Sequence, residues 1–233
     1  MRRSHRRATR RHAQPTDRGA HIRLAALLAT LLVFGLGSVA AATRHATGTG
    51  PALSAHATGS DVSTPVSEWQ RGSMPHLYQT DPAWAAEPYA GGTIEKNGCG
   101  PTALAMVYVT LTGRTDRGPV EMAAFAERGG YTSDGMTTWS FMTDGASELG
   151  LLAQELPADA GTLTSALRAG RPVICSVRPG DFTTTGHFIV LAGLAQDGQL
   201  VVHDPNSAER SAQTWDVQRV LDQCANLWAF TMA

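Results

Sequence analysis

Apolar side chains recur at helical spacing over residues 99–170 and then gather into short β-rich runs over residues 172–231. Ala103, Leu104, Val107 and Leu111 predict a helix that opens at Cys99-Gly100-Pro101 and stops at Gly113. Pro101 suits a first helical turn, where a missing N–H is no loss. Residues 119–128 predict a second helix, ended by Gly129-Gly130, and residues 137–149 a third with Trp139, Met142, Ala146 and Leu149 on one face. A strand over 151–156 and a helix over 163–169, closed by Gly170, follow. Strands are then predicted at 172–177, 187–194, 200–203 and 227–231, with turn signals at Pro179-Gly180, Gln196-Asp197-Gly198 and Pro205-Asn206. A short helix over 216–224 interrupts them and puts Cys224 near its end. Helices first and strands later indicate an α+β domain, N-terminal helices packed on a mostly antiparallel sheet.

The pattern upstream is different. Eight arginines and one acid, Asp17, fall within residues 1–23, and residues 24–43 are uncharged and largely apolar. A basic start before an apolar run reads as a signal peptide or a single membrane anchor over residues 1–43; the uncharged run is long for a signal's apolar core and about right for a span. It implies an exported protein, secreted or anchored to the outer face of the cytoplasmic membrane, touching membrane only through this segment. Residues 44–66 are rich in Ala, Thr, Ser, Gly and His and read as a flexible linker. Residues 67–233 carry regular apolar segments without a second linker, enough for one cored domain.

Charge narrows the partners. Without the first 23 residues, 11 basic side chains face 19 acidic ones. An acidic body without a basic patch argues against nucleic acid.

Cys99 lies between Gly98 and Gly100 at the predicted helix N-terminus. Free backbone N–H groups and the helix dipole favour a thiolate there, and thiolate is the nucleophilic form of cysteine. Such a nucleophile needs an imidazole to take its proton and return it to the leaving group. Five of the eight histidines precede residue 57, leaving His76, His187 and His203. His187 follows a glycine at the mouth of a core strand, a setting that fixes a ring; His203 reads as structural. Asp204 closes the next strand, where an antiparallel return brings a carboxylate beside His187 to fix its tautomer; the same residue also suits an Asp-Pro turn. Gln79 is a candidate oxyanion donor, but its spacing alone favours an ordinary exposed loop glutamine.

These residues resemble a known family. Tyr78-Gln79-Thr80-Asp81-Pro82-Ala83-Trp84, Gly92-Thr93-Ile94 leading to Asn97-Gly98-Cys99-Gly100-Pro101-Thr102, Gly186-His187-Phe188-Ile189-Val190-Leu191 and Asp204-Pro205 are similar to the papain-fold cysteine peptidases related to the bacteriocin-processing, double-glycine leader peptidases. The resemblance implies a papain-like fold, a peptide or protein substrate and no cofactor. It makes Cys99 the nucleophile, His187 the base and acid, Asp204 the orienting carboxylate and Gln79 the oxyanion residue. The transporter spans and phosphate-binding glycine loop of the best-known relatives are not in this sequence, so the resemblance is to a stand-alone exported branch.

Other readings use the same residues. The fold could serve as a non-catalytic peptide or cell-wall binding module, or as a cell-wall amide hydrolase. A metal enzyme built on Cys99, His187, His203 and Asp204 has the ligand types without a metal-type spacing. Three cysteines in an exported chain leave at least one unpaired, so either Cys175 and Cys224 form a disulfide or both are buried thiols. The loops expected to shape the substrate pocket are 131–135 and 179–186.

Overall fold

Two-residue turns with both central residues at positive φ build the first part of the domain. In a computed structural model of the protein, which describes residues 61–233, β1 (Pro88–Tyr89) and β2 (Gly92–Thr93) pair around Ala90 and Gly91, at φ 50° and 75°. Positive φ at both central residues is the mark of a type I′ turn, whose twist matches the right-handed twist of paired strands. A one-turn helix, α1 (Ile94–Asn97), leads through Gly98 into α2 (Cys99–Thr112), which ends where Gly113 takes φ 72°. α3 (Pro119–Arg128) follows, then a second hairpin, β3 (Thr132–Ser133) and β4 (Met136–Thr137), turned by Asp134-Gly135 at φ 50° and 76°.

The third predicted helix is cut down by that hairpin. Thr137 belongs to β4, residues Phe141–Gly145 form a π-helical turn, and only α4 (Ala146–Glu148) is α-helical. A π turn inserts an extra residue and rotates the face, so Met142 and Ala146 are buried while Trp139 stays 49% exposed.

The remainder is β5 (Leu151–Leu156), α5 (Ala160–Arg168), β6 (Val173–Val177), β7 (His187–Leu194), β8 (Leu200–His203), α6 (Ala208–Ser211), β9 (Thr214–Trp215), α7 (Val217–Leu221) and β10 (Cys224–Met232). Six strands form one sheet in the order β5-β10-β6-β7-β8-β9, each neighbouring pair antiparallel. The α+β expectation holds. α5 begins earlier than its apolar residues indicate, because Asp159 caps it by accepting from Thr162 N at 2.8 Å. Cys224 lies in β10, opposite Val177, not at the end of a helix.

Helices cover both faces of the sheet. Ile174, Phe188, Val190, Trp228 and Phe230 pack with α2 and α3, whereas Cys175, Ile189, Leu191, Val202 and Leu227 pack with α5 and α7. Alternate residues of one strand thus serve two cores, which is why β6 and β7 read as continuous apolar runs rather than as alternation. All three cysteines are free thiols, so Cys175 and Cys224 do not form a disulfide. They are neighbours nonetheless: the Cys224 thiol and burial hold Cys175 well above its ordinary value.

Part of the segment read as linker is bound to the domain. Residues 61–66, assigned above to the linker, are tied down by hydrogen bonds, among them Ser63 N to Asp81 Oδ2 at 2.7 Å. Asp, Ser and Thr make these contacts through polar atoms, so they leave no apolar signal. Residues 1–43 and 44–60, with the expected signal or anchor and most of the linker, lie outside the described residues. Among the described residues no helix is long and apolar enough to cross a membrane.

Gly100 is required by close approach. A Cβ there would sit 2.5 Å from Thr137 Oγ1, pressing α2 off the β4 hairpin. Gly100→Ala should therefore cost about 1–3 kcal/mol of stability, read as a lower urea midpoint at unchanged slope.

Candidate active site

Local geometry places Cys99 first. Gly98 approaches so closely that a Cβ would lie 2.5 Å from Ile94 O, and Asn97 Nδ2 holds the β1–β2 turn through Tyr89 O and Ala90 O, both at 3.2 Å. The chain therefore turns sharply into α2, and Cys99 occupies the helix N-terminus half-buried rather than sealed in the core. α2 packs on β7, and β7 begins with His187.

His187 is buried, and its Nε2 lies 2.7 Å from Asp204 Oδ1. That leaves Nδ1 for the thiol. Burial pushes the Cys99 thiol up, but His187, as hydrogen-bond partner and as charge, together with the N–H groups of Phe188 and Gly100, brings it below its ordinary value. Burial works against a charged His187 too, yet Asp204 and Cys99 raise it to about 9. The two shifts together favour a thiolate beside an imidazolium.

Asp204 is almost fully buried, and a buried carboxylate must be satisfied. Oδ1 accepts from Asn206 N at 2.8 Å besides meeting His187, and Oδ2 accepts from Arg210 Nε. Burial pushes its carboxyl up, but His187 and then Arg210 hold it below the usual range. Arg210 was missed from sequence. It stands on α6, a single turn started by the Ser207 cap, and the only signal was a cation shortly after Asp204.

Gln79 is buried beside the same cleft. Its Nε2 donates to Glu95 O at 2.6 Å, and its backbone N donates to Pro205 O at 2.7 Å. An amide nitrogen has two hydrogens, so one remains for a ligand. Gln79, Cys99 and His187 thus line one cleft of about 550 Å³, together with Lys96, Met136, Thr137, Phe182 and Arg210, and Asp204 is buried behind His187. Of the two loops expected to shape it, residues 180–186 do so, whereas none of residues 131–135 lines it; Met136 and Thr137, which follow that turn in β4, do instead.

His203 goes elsewhere. Its ring stacks on His76 with centroids 3.7 Å apart, and its Nδ1 lies 3.2 Å from Pro75 O. Burial and the neighbouring His76 push it down to about 4, so it stays neutral near pH 7. Cys99, His187, His203 and Asp204 are therefore not gathered as one ligand set, and among the described residues no group of three or more His, Cys, Asp or Glu side chains is placed to hold a metal.

The sequence profile of the Peptidase_C39 like family matches residues 73–231. The chain belongs to this family. It is a cysteine peptidase of the C39 type, a hydrolase, and helices packed on an antiparallel sheet are its papain-like fold. Among solved structures, the peptidase domain of Streptococcus ComA, a bi-functional ABC transporter involved in a quorum sensing pathway, is similar at 25% identity, with a TM-score of 0.43 over 59% of this chain and 91% of that one. No curated protein matches.

Two outcomes test the electrostatics of this C39-type site. Alkylation of Cys99 should titrate below the ordinary thiol value of about 8.5, and His187→Ala should move it back up. Because His187 is raised above its ordinary 6.5, the stability it contributes is complete below that value and is lost as pH rises through about 9. The lowered Cys99 thiol titrates in the opposite sense, so the fall is read in a Cys99→Ala background, where chemical denaturation at pH 6 and pH 10 should show it and adding His187→Ala should flatten it. Removing Arg210 leaves a buried carboxylate oxygen without its cation. Arg210→Met should destabilise the fold by roughly 3 kcal/mol in urea titrations.

Proposed function

We propose that this C39-type enzyme hydrolyses a peptide bond through a thioester acyl-enzyme on Cys99. The observation that carries the reading is the pairing of a lowered thiol with a raised imidazole whose Nε2 is held 2.7 Å from Asp204. The thiolate attacks the scissile carbonyl carbon, and negative charge gathers on the carbonyl oxygen. The Cys99 backbone N–H, unpaired within the first helical turn, and the free Gln79 amide hydrogen receive that oxyanion. As the C–N bond breaks, His187 Nδ1 gives its proton to the leaving amine. The neutral ring then takes a proton from water, whose oxygen attacks the thioester and releases the acid and the thiolate. Asp204 stays ionised and keeps the imidazole oriented.

The cleft suggests what is cut. Met136 reaches across to the strand mouth: a Cβ placed on Gly186 would lie only 3.6 Å from Met136 Cε. We infer that Met136, which lines the same cleft as Cys99 and Gly186, narrows it at the strand mouth and favours a small substrate residue there. A glycine-sized residue at the cut fits this pinch, as it fits a peptidase of the leader-processing kind. The N-terminal basic and apolar residues support placing the domain outside the cytoplasm, secreted or membrane-anchored.

A mixture-based peptide library, read by mass spectrometry, tests both statements. Cleavage should follow glycine or alanine and vanish in Cys99→Ala. Gln79→Ala should lower kcat by about 10²-fold. Met136→Ala should admit larger residues at the cut. Cleavage that survives in Cys99→Ala would sink the mechanism, and an unchanged preference in Met136→Ala would sink the pinch.

A further inference from the structure

The family profile begins at residue 73, yet residues 61–64 are fastened to the domain, and what they grip is the turn that carries Gln79. Ser63 is buried and bonds that turn twice, through its N to Asp81 Oδ2 at 2.7 Å and through its Oγ from Tyr78 N at 2.9 Å. Thr64 exchanges two bonds with His76, N to O at 2.8 Å and Oγ1 from N at 2.9 Å. Asp61 Oδ2 accepts from Thr80 Oγ1 at 3.3 Å and from Ala208 N at 3.2 Å. Ala208 opens α6, the turn whose Arg210 holds Asp204. His76, Tyr78, Thr80 and Asp81 all flank Gln79, and none of these bonds reaches Cys99 or His187.

We propose that residues 61–64, outside the family's own boundaries, are a strap that positions the oxyanion donor: Asp61 and Ser63 fix the 78–81 turn and so aim the Gln79 amide into the cleft. The inference rests on Gln79 being the oxyanion residue. The physical case is one of preorganisation. Within the 78–81 turn the closing backbone bond is Asp81 N to Tyr78 O at 3.1 Å, and Asp81 is itself buried. With Asp61 and Ser63 cut back to alanine, the Tyr78 N–H and the Thr80 hydroxyl lose their partners, a loss that favours rearrangement of the turn. A donor misplaced by about 1 Å can lose about 10²-fold in rate, because it must be aimed before the charge develops. Asp61 and Ser63 are thus positioning residues, acting through Gln79.

The experiment uses the full chain carrying Asp61→Ala with Ser63→Ala, alone and combined with Gln79→Ala. Hydrogen exchange at the Tyr78 and Gln79 amides reads the turn without any substrate, and kcat, KM and the pH profile of Cys99 alkylation read the site, with the best-cleaved library peptide as substrate. The strap predicts at least about tenfold faster exchange at Tyr78 and Gln79, with residues 187–191 unaffected. It also predicts a kcat lower by about 10- to 100-fold, an unchanged KM and alkylation profile, and no further loss once Gln79 is alanine. Unchanged exchange at Tyr78 and Gln79 overturns the proposal. So does a kcat loss that multiplies with that of Gln79→Ala, or a shifted alkylation profile. A wild-type chain that cuts no peptide while its 78–79 exchange still depends on the strap counts against the peptidase reading and for the strap.

Discussion

A carboxylate buried among protein atoms needs every lone pair answered, and Asp204 has its partners drawn from three places. His187 comes from the start of β7, Asn206 N from the turn that follows β8, and Arg210 from α6. The demand is electrostatic: an ion removed from water is tolerated only when paired and hydrogen-bonded. Meeting it ties the end of one core strand to the mouth of its neighbour and to a helix of one turn. The imidazole then has one nitrogen committed and one free for the thiol. The acid–base chemistry of the site follows from satisfying a single buried charge.

The sheet supplies the stiffness this requires. With helices on both faces, β6 and β7 are held by two cores, one against α2 and α3 and the other against α5 and α7. α2 lies on the first face, so the nucleophile and its base stand on elements that share buried side chains. Glycines bring the parts within reach. Gly98 lets the chain turn into α2 against Ile94, and Gly100 lets α2 start against Thr137. In each case a β-carbon would occupy space already filled.

Much of this was legible because it is local. The Cys99 helix and its stop at Gly113, the helix over 119–128, and the strands over 151–156, 187–194 and 200–203 depend on apolar period and on glycine or proline punctuation, and they formed where the pattern put them. The Thr137–Leu149 stretch failed because a Asp134-Gly135 hairpin took its first residue and a π turn rotated the rest, which a 3.6-residue period does not reveal. Cys224 was misplaced for a related reason: α7 stops at Leu221, and β-pairing with Val177 claims the cysteine. Residues 61–66 looked like linker because their hold on the domain is made of polar atoms.

The sequence by itself determined which chemistry was available: a cysteine between glycines at a helix start, a histidine at a strand mouth, an aspartate closing the next strand and a glutamine upstream. Those signals are carried by neighbours in the chain and lie within the stretch that the family profile matches. Only tertiary structure decided which partners each group meets. That Arg210 answers the second oxygen of Asp204, that His203 turns to His76, and that Ser63 grips the turn at Gln79 are contacts between residues distant in sequence or set by a one-turn helix. Hydrogen bonds and ion pairs of this kind are short-ranged and directional, so they exist only once packing has brought the atoms within about 3 Å.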